Sequence, residues 1–136
     1  MSVEFVDTNI FIYAHDGHAG KKHELSGELL GRLFDSGSGA ISIQVLSEFY
    51  AAATKKLAMP SREAEEVLAD LAGWIIHVPQ HTDLIRAARL QRRYKVSWWD
   101  ALILNSAIEL GCATLWSEDL SHGQRFGSLT VRSPFL

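Results

Sequence analysis

The sequence predicts an α/β fold in which a parallel sheet is covered by helices on both faces. Two observations carry that expectation. Short apolar runs rich in β-branched or aromatic residues alternate with longer stretches of helical periodicity, the pattern of strand–helix–strand units. The short runs are also nearly continuous in apolar character, as expected of strands buried on both faces.

The elements follow in order. Val3–Val6 is the first strand, and Lys22–Phe34 reads as a helix that ends at the Ser36–Gly39 break. Ala40–Ile43 is a second strand, followed by helical patterns at Gln44–Leu57 and, after Pro60, at Arg62–Leu71. Trp74–Val78 is a strand closed by Pro79. It leads to helices at Thr82–Arg93 and Trp98–Leu110, the second ending at Gly111. Ala113–Trp116 is the fourth strand, and Leu129–Arg132, before Ser133–Pro134, is a weaker fifth.

At 136 residues, with no repeat, linker or low-complexity tract, residues 1–136 are expected to form a single domain. Hydrophobic residues make up 47% of the chain and charged ones 21%, enough apolar material for a core without disulfide staples. The single cysteine, Cys112, lies in an apolar segment and reads as a buried thiol. The sequence has no apolar run long enough to span a bilayer. It also lacks an N-terminal basic region followed by a signal-type stretch, so a cytoplasmic location is expected. The net charge of −3 excludes global basicity as a route to nucleic acid, leaving a local patch or a bound metal.

Parallel sheets gather the carboxyl ends of their strands along one edge, where ligands bind. Asp7 follows the first strand directly, and Asp119 comes three residues after Trp116. Glu48 lies about one turn into the helix after Ile43. Asp100 opens a helix that must descend to the start of the fourth strand, so its first turn sits at the same carboxyl edge. Four acids from four segments therefore reach one rim. Two carboxylates ~4 Å apart repel by about 4 kcal/mol at an effective dielectric near 20. Such a cluster demands raised pKa values or a cation, and hard oxygen ligands favour Mg²⁺ or Mn²⁺ over zinc. Each acid also has an ordinary reading. Asp7-Thr8-Asn9 has the form of a strand-to-helix turn with a capping side chain. Ser97-Trp98-Trp99-Asp100 has the spacing of a capping box. Glu48 borders an apolar stripe of Val45, Phe49, Ala52 and Ala53, while Glu118 and Asp119 fit an acidic loop.

Taken as an ordered set, these segments resemble the PIN-domain family. Asp7-Thr8-Asn9 after the first strand, Leu46-Ser47-Glu48-Phe49, Trp98-Trp99-Asp100-Ala101-Leu102-Ile103 and Ser117-Glu118-Asp119-Leu120 are similar to its successive acidic motifs. The run from Ser121 to Phe135 resembles the ending of the VapC toxins of toxin–antitoxin pairs. The resemblance implies a three-layer α/β/α sandwich with a parallel sheet of four to five strands. It also implies Mg²⁺- or Mn²⁺-dependent endoribonuclease activity, a cognate antitoxin and a homodimer. It carries Asp7, Glu48, Asp100 and Asp119 over as the catalytic and metal-binding acids. Asp7 and Asp100 are expected as the main platform, with Asp119 and Glu48 holding a second ion or orienting the attacking water. Ser117 stands where the family often has threonine. Glu118 is a second acid beside Asp119, which is favoured by its place in the motif.

Other residues suggest roles around that rim. Arg86, Arg89, Arg92, Arg93 and Lys95 precede Asp100, and Arg86, Arg89 and Arg93 share a helical stripe suited to RNA phosphates or to solvent. Trp98 and Trp99 are suited to stacking on bases, although core packing is the commoner fate of such residues. The six histidines have no metal-ligand spacing, and His122 lies near the rim. Phe11, Ile12, Leu29, Leu30, Leu33 and Phe34 suit either the core or a dimer or antitoxin surface. Among other phosphoryl-transfer domains, a haloacid-dehalogenase-like phosphatase would need an aspartate where Asn9 stands. A receiver domain would need paired acids before its first helix and a late lysine. A non-catalytic RNA-binding module is the remaining alternative, and the presence of all four acids argues against it.

Overall fold

A computed structural model describes residues 2–136. Strand β1 (Glu4–Val6) passes directly into helix α1 (Thr8–Ala14) and then α2 (Lys21–Ser36). Strand β2 (Gly39–Ser42) is followed by α3 (Ile43–Lys56), α4 (Ser61–Asp70) and a short 3₁₀ turn at Leu71–Gly73. Strand β3 (Ile75–His77) leads to α5 (His81–Tyr94) and α6 (Trp98–Glu109). Strands β4 (Thr114–Trp116), β5 (Arg125–Phe126) and β6 (Leu129–Arg132) complete the order.

The strands form one sheet in the order β3-β2-β1-β4-β6-β5, parallel except for β5, which pairs antiparallel with β6. The expected α/β sandwich is therefore present, with the two-residue edge strand β5 as a sixth strand. The chain steps outward from β1 to β2 to β3, then returns to place β4 on the other side of β1. Right-handed crossovers put the helices of these opposite steps on opposite faces. The helix contacts fall into the same two sets: α1 packs with α2 and α3, and α3 with α4, whereas α5 packs with α6. Two helices fill the crossover before β4. α6 lies on β2 and β4, with six of its residues buried, and α5 is displaced outward onto α6.

Local chemistry accounts for the boundaries. The Ser42 hydroxyl caps α3 by accepting from the Val45 N–H at 3.3 Å, so Ile43 starts the helix instead of ending the strand. A reciprocal capping box does occur, but at Gln80 and Asp83 of α5. Gly37 closes α2 in the left-handed conformation, where a side chain would be strained. Gly39 is held for another reason: a Cβ there would meet the Trp74 ring at 2.6 Å. The core includes Phe5 and Val6 of β1, Ile41 of β2, Leu115 of β4 and Val131 of β6, with Ile10, Phe11, Phe49 and Leu104 from the helices. Cys112 is buried as expected, and burial pushes its thiol up to about 12, away from reactivity. Among the described residues no helix is long and apolar enough to cross a membrane.

Two short elements escape sequence periodicity. α1 has only seven residues, too few to establish a helical repeat before the turn at 15–20. β5 is paired through the two-residue loop Gly127-Ser128, with Phe126 opposite Leu129 and Gly127 at φ 63°. Glycine–serine between such residues is itself a hairpin signal.

Candidate metal centre

The order of the sheet reverses between β1 and β4, and a crevice opens at such a switch point beyond the strand ends. Val6 is in register with Trp116, so the residues that follow, Asp7 and Ser117, emerge side by side. The Asp7 N–H extends the ladder by donating to the Trp116 carbonyl at 3.0 Å. Asp7 is 7% exposed. Its Oδ1 accepts from the Thr8 N–H at 2.7 Å, which caps α1, and its Oδ2 accepts from the Ser117 hydroxyl at 2.9 Å. The capping role and the site role thus belong to the same carboxylate, whose remaining lone pairs stay available.

Asp100 and Asp119 complete a cluster. One carboxylate oxygen from each of Asp7, Asp100 and Asp119 lies within 4.8 Å of the other two. Asp100 is brought there by the start of α6. The Ser97 hydroxyl accepts from the Asp100 N–H at 3.1 Å, but no reciprocal bond from the Ser97 N–H to the Asp100 carboxylate is found among the described residues. Half of the expected capping box is present, and the Asp100 side chain is left for the cluster. Asp119 accepts from the Asn9 amide at 3.2 Å, and its backbone N–H donates to the Ser117 hydroxyl at 3.2 Å. Ser117 therefore holds two of the three aspartates. In sequence it stood out only as a departure from a motif.

Glu118 points elsewhere. Its carboxylate accepts from the Lys22 ammonium at 2.8 Å and from the Tyr13 hydroxyl, and the Lys22 cation lies over the Tyr13 and Phe135 rings. Desolvation would raise its pKa, but the Lys22 and Tyr13 hydrogen bonds outweigh it and hold the carboxyl below the usual range. The adjacent acids are thus divided, with Asp119 in the cluster and Glu118 in a tether to α1 and α2.

Glu48 reaches the same rim but stays outside the group of three. Its Oε2 accepts weakly from the Thr8 hydroxyl at 3.5 Å, and its Oε1 accepts from Gln44 at 2.6 Å. Topology delivered all four acids to one edge, as expected, while side-chain geometry gathers three. Beside them opens a cleft of about 480 Å³ lined by Asp100, Asp119, Tyr94, Lys95, Ser121 and Gln124. Lys95 is therefore the member of the basic segment that reaches the acidic rim. Arg86, Arg89 and Arg93 line a separate groove between α5 and α6, and Arg92 is exposed.

Burial is the largest influence on Asp7 and pushes its carboxyl up to about 6. The Ser117 and Thr8 hydrogen bonds oppose this, and the charges of Asp119 and Asp100 add to it. Asp119 is likewise raised, first by desolvation and then by Asp100 and Glu118, against the pull of Lys22. A cation placed among the three would remove the repulsion, and three carboxylates form the hard oxygen set that Mg²⁺ or Mn²⁺ prefers. The residues fit such an ion.

Other candidates resolve more simply. His122 Nδ1 accepts from the Ser133 N–H at 3.0 Å, tying down the loop after β4. His15 and His23 bond to the carbonyls of Phe11 and Tyr13. Trp98 is partly buried, whereas Trp99 is 62% exposed and does not join the core. Of the apolar residues on α1 and α2, Phe11, Leu29, Leu30 and Leu33 are core and Ile12 is partly buried; only Phe34 is exposed.

The PIN domain family matches residues 5–124. A toxin–antitoxin complex from Klebsiella pneumoniae contains a similar chain, with a TM-score of 0.71 at 22% identity over 98% of both chains. DNA-bound VapBC from Salmonella typhimurium gives 0.69 at 20% identity, over 98% of this chain and 99% of that one. VapC20 of Mycobacterium tuberculosis, a sarcin-ricin-loop-cleaving toxin, gives 0.63 at 17% identity over 85% and 91%. No curated protein matches the sequence significantly. The family match spans every segment that delivers an acid to the rim, and the chain belongs to the PIN domain family.

Proposed function

We propose that this PIN domain is a Mg²⁺- or Mn²⁺-dependent endoribonuclease and the toxin of a toxin–antitoxin pair. The observation that carries the catalytic part is the convergence of Asp7, Asp100 and Asp119 within 4.8 Å at the switch point of the sheet. When bound, the ion supplies Lewis-acid stabilisation of charge on the scissile phosphate. Asp7, Asp100 and Asp119 would hold it, Ser117 and Asn9 orient two of them, and Glu48, beside Thr8 on the same rim, is the proposed group to orient the attacking water. Arg89, Arg92, Arg93 and Lys95 are the proposed contacts for the RNA backbone, with Lys95 already in the cleft, whereas Arg86 is drawn into ion pairs with Glu109 and Asp83.

RNA as substrate is supported by the family and by likeness to a toxin that cleaves the sarcin-ricin loop. An antitoxin partner is supported by likeness to chains from toxin–antitoxin complexes. The half-exposed Phe34, over a cleft of about 130 Å³ shared with Phe11, Leu30 and Val67, offers such a partner an apolar foothold. A homodimer is supported by exposed Ile75 and Val78 at the β3 edge, with Leu84 and Ile85 on α5. The same reading makes residues 1–136 one domain that works in the cytoplasm.

The test is RNA cleavage by metal-stripped protein, with and without added Mn²⁺ or Mg²⁺, beside Asp7→Asn and Asp100→Asn. Cleavage is expected only with metal, and in each folded variant it should fall about a hundredfold or more. Undiminished cleavage in excess EDTA, or by both variants, would sink the assignment. Co-purification with a small partner encoded beside the chain tests the antitoxin part.

A further inference from the structure

From Leu84 to Trp99 the chain contains five basic residues and no acid, against a net charge of −3 overall. The structure divides those five. Arg86 is engaged, its guanidinium 3.4 Å from Glu109 and 3.7 Å from Asp83, so it pins α5 to α6. Arg89, Arg92, Arg93 and Lys95 make no ion pair among the described residues. Arg89 and Arg93 line an open groove of about 220 Å³ between α5 and α6, whose wall also carries Ile108 and the Arg86–Glu109 pair. The Arg93 guanidinium lies 5.2 Å from the centre of the Tyr94 ring, and Tyr94 in turn lines the cleft that holds Asp100 and Asp119. The groove and the acidic cleft thus adjoin at Arg93 and Tyr94, with Lys95 beyond.

We infer that the α5–α6 groove is a second phosphate subsite, in which Arg89 and Arg93 hold the RNA strand that flanks the scissile phosphate. The inference rests on the ribonuclease reading. An acidic metal cluster repels a polyanion except where the metal itself sits, so the flanking strand needs cations displaced from the cluster. Arg89 and Arg93 stand four residues apart, one turn along α5, and present planar guanidiniums suited to phosphate oxygens. Such contacts position the strand without reading its sequence. Arg86 does not share in this, because Glu109 and Asp83 already balance its charge.

The test uses the full chain carrying Asp100→Asn to prevent cleavage, with a fluorescein-labelled single-stranded RNA 20-mer of mixed sequence as probe. Binding is followed by anisotropy across a KCl series. Adding Arg89→Gln and Arg93→Gln together is expected to weaken binding on the order of tenfold at low salt. The log–log salt slope should also fall by about 1.4, or about 0.7 per lost single-strand phosphate contact. Arg86→Gln is expected to leave the slope unchanged and to lower the melting temperature instead. A slope unaltered in the folded double variant overturns the inference. So does an unaltered slope with loss of a co-purifying protein, which would assign the groove to that partner. Failure of the parent to cleave any RNA with Mn²⁺, while the slope still depends on Arg89 and Arg93, overturns the ribonuclease reading and leaves the groove standing.

Discussion

The Ser117 hydroxyl donates to Asp7 Oδ2 at 2.9 Å, joining the end of β4 to the end of β1 beneath the acidic cluster. Ser117 is fully buried, and the same oxygen accepts from the Asp119 backbone N–H. Ser117→Ala removes a bond that favours the charged form of Asp7, so Asp7 should titrate higher still. The expected result is an acid limb of the cleavage pH profile displaced upward by up to about one unit, with Mn²⁺ binding weakened in parallel. An unchanged pH profile with full metal affinity would show that Ser117 only fills space.

Asp7 itself should trade stability for function. Its carboxyl is raised to about 6 in the folded chain, against about 3.9 when unfolded. The folded state therefore binds the proton more tightly. The stability this confers is complete below about pH 3.9 and is lost as pH rises through 6, by on the order of 3 kcal/mol. Asp7→Asn removes that loss, so in EDTA the variant should be more stable than the parent at pH 8 and nearly equal at pH 4. Urea melts at the two pH values measure the difference. Added Mn²⁺ should narrow the gap at pH 8 by stabilising the parent alone.

Glu118 is tied to Lys22 and Tyr13, not to the cluster. Glu118→Ala is expected to weaken Mn²⁺ binding about tenfold by loosening the segment that carries Asp119. Asp119→Ala should cost much more. Calorimetric titration of both variants decides the matter, and equal losses would make Glu118 a ligand.

Gly39→Ala forces a methyl group against the buried Trp74 ring, which also packs on Phe11 and Phe34. A destabilisation of about 1–3 kcal/mol is expected in urea, followed by tryptophan fluorescence. Cleavage per folded molecule should be unchanged, because Gly39 lies at the opposite end of β2 from the rim.

Much of the molecule was legible because its signals are local. Continuous apolar runs marked the buried strands, and caps and glycines marked most helix ends within a residue or two. Asp7 and Asp100 were legible as candidates because one directly follows the first strand and the other opens a helix that must return to the start of the fourth, which puts both at the carboxyl edge. α1 and β5 were not, since seven and two residues fall below the length at which a period can be recognised.

The α/β class, the edge to which Asp7, Glu48, Asp100 and Asp119 are delivered, and the resemblance to PIN domains all follow from the order of amino acids alone. These depend on periodicity and on the direction in which each helix must return. Which acids meet is settled by packing in three dimensions. Strand order set Asp7 beside Ser117, the Lys22–Tyr13 tether drew Glu118 away from Asp119, and Glu48 stayed outside the group, bonded to Thr8 and Gln44. It also separated Arg86, balanced by Glu109, from Arg89 and Arg93 on the same stripe. Such choices turn on partners distant in the sequence and on separations of a few ångströms, which no local pattern encodes.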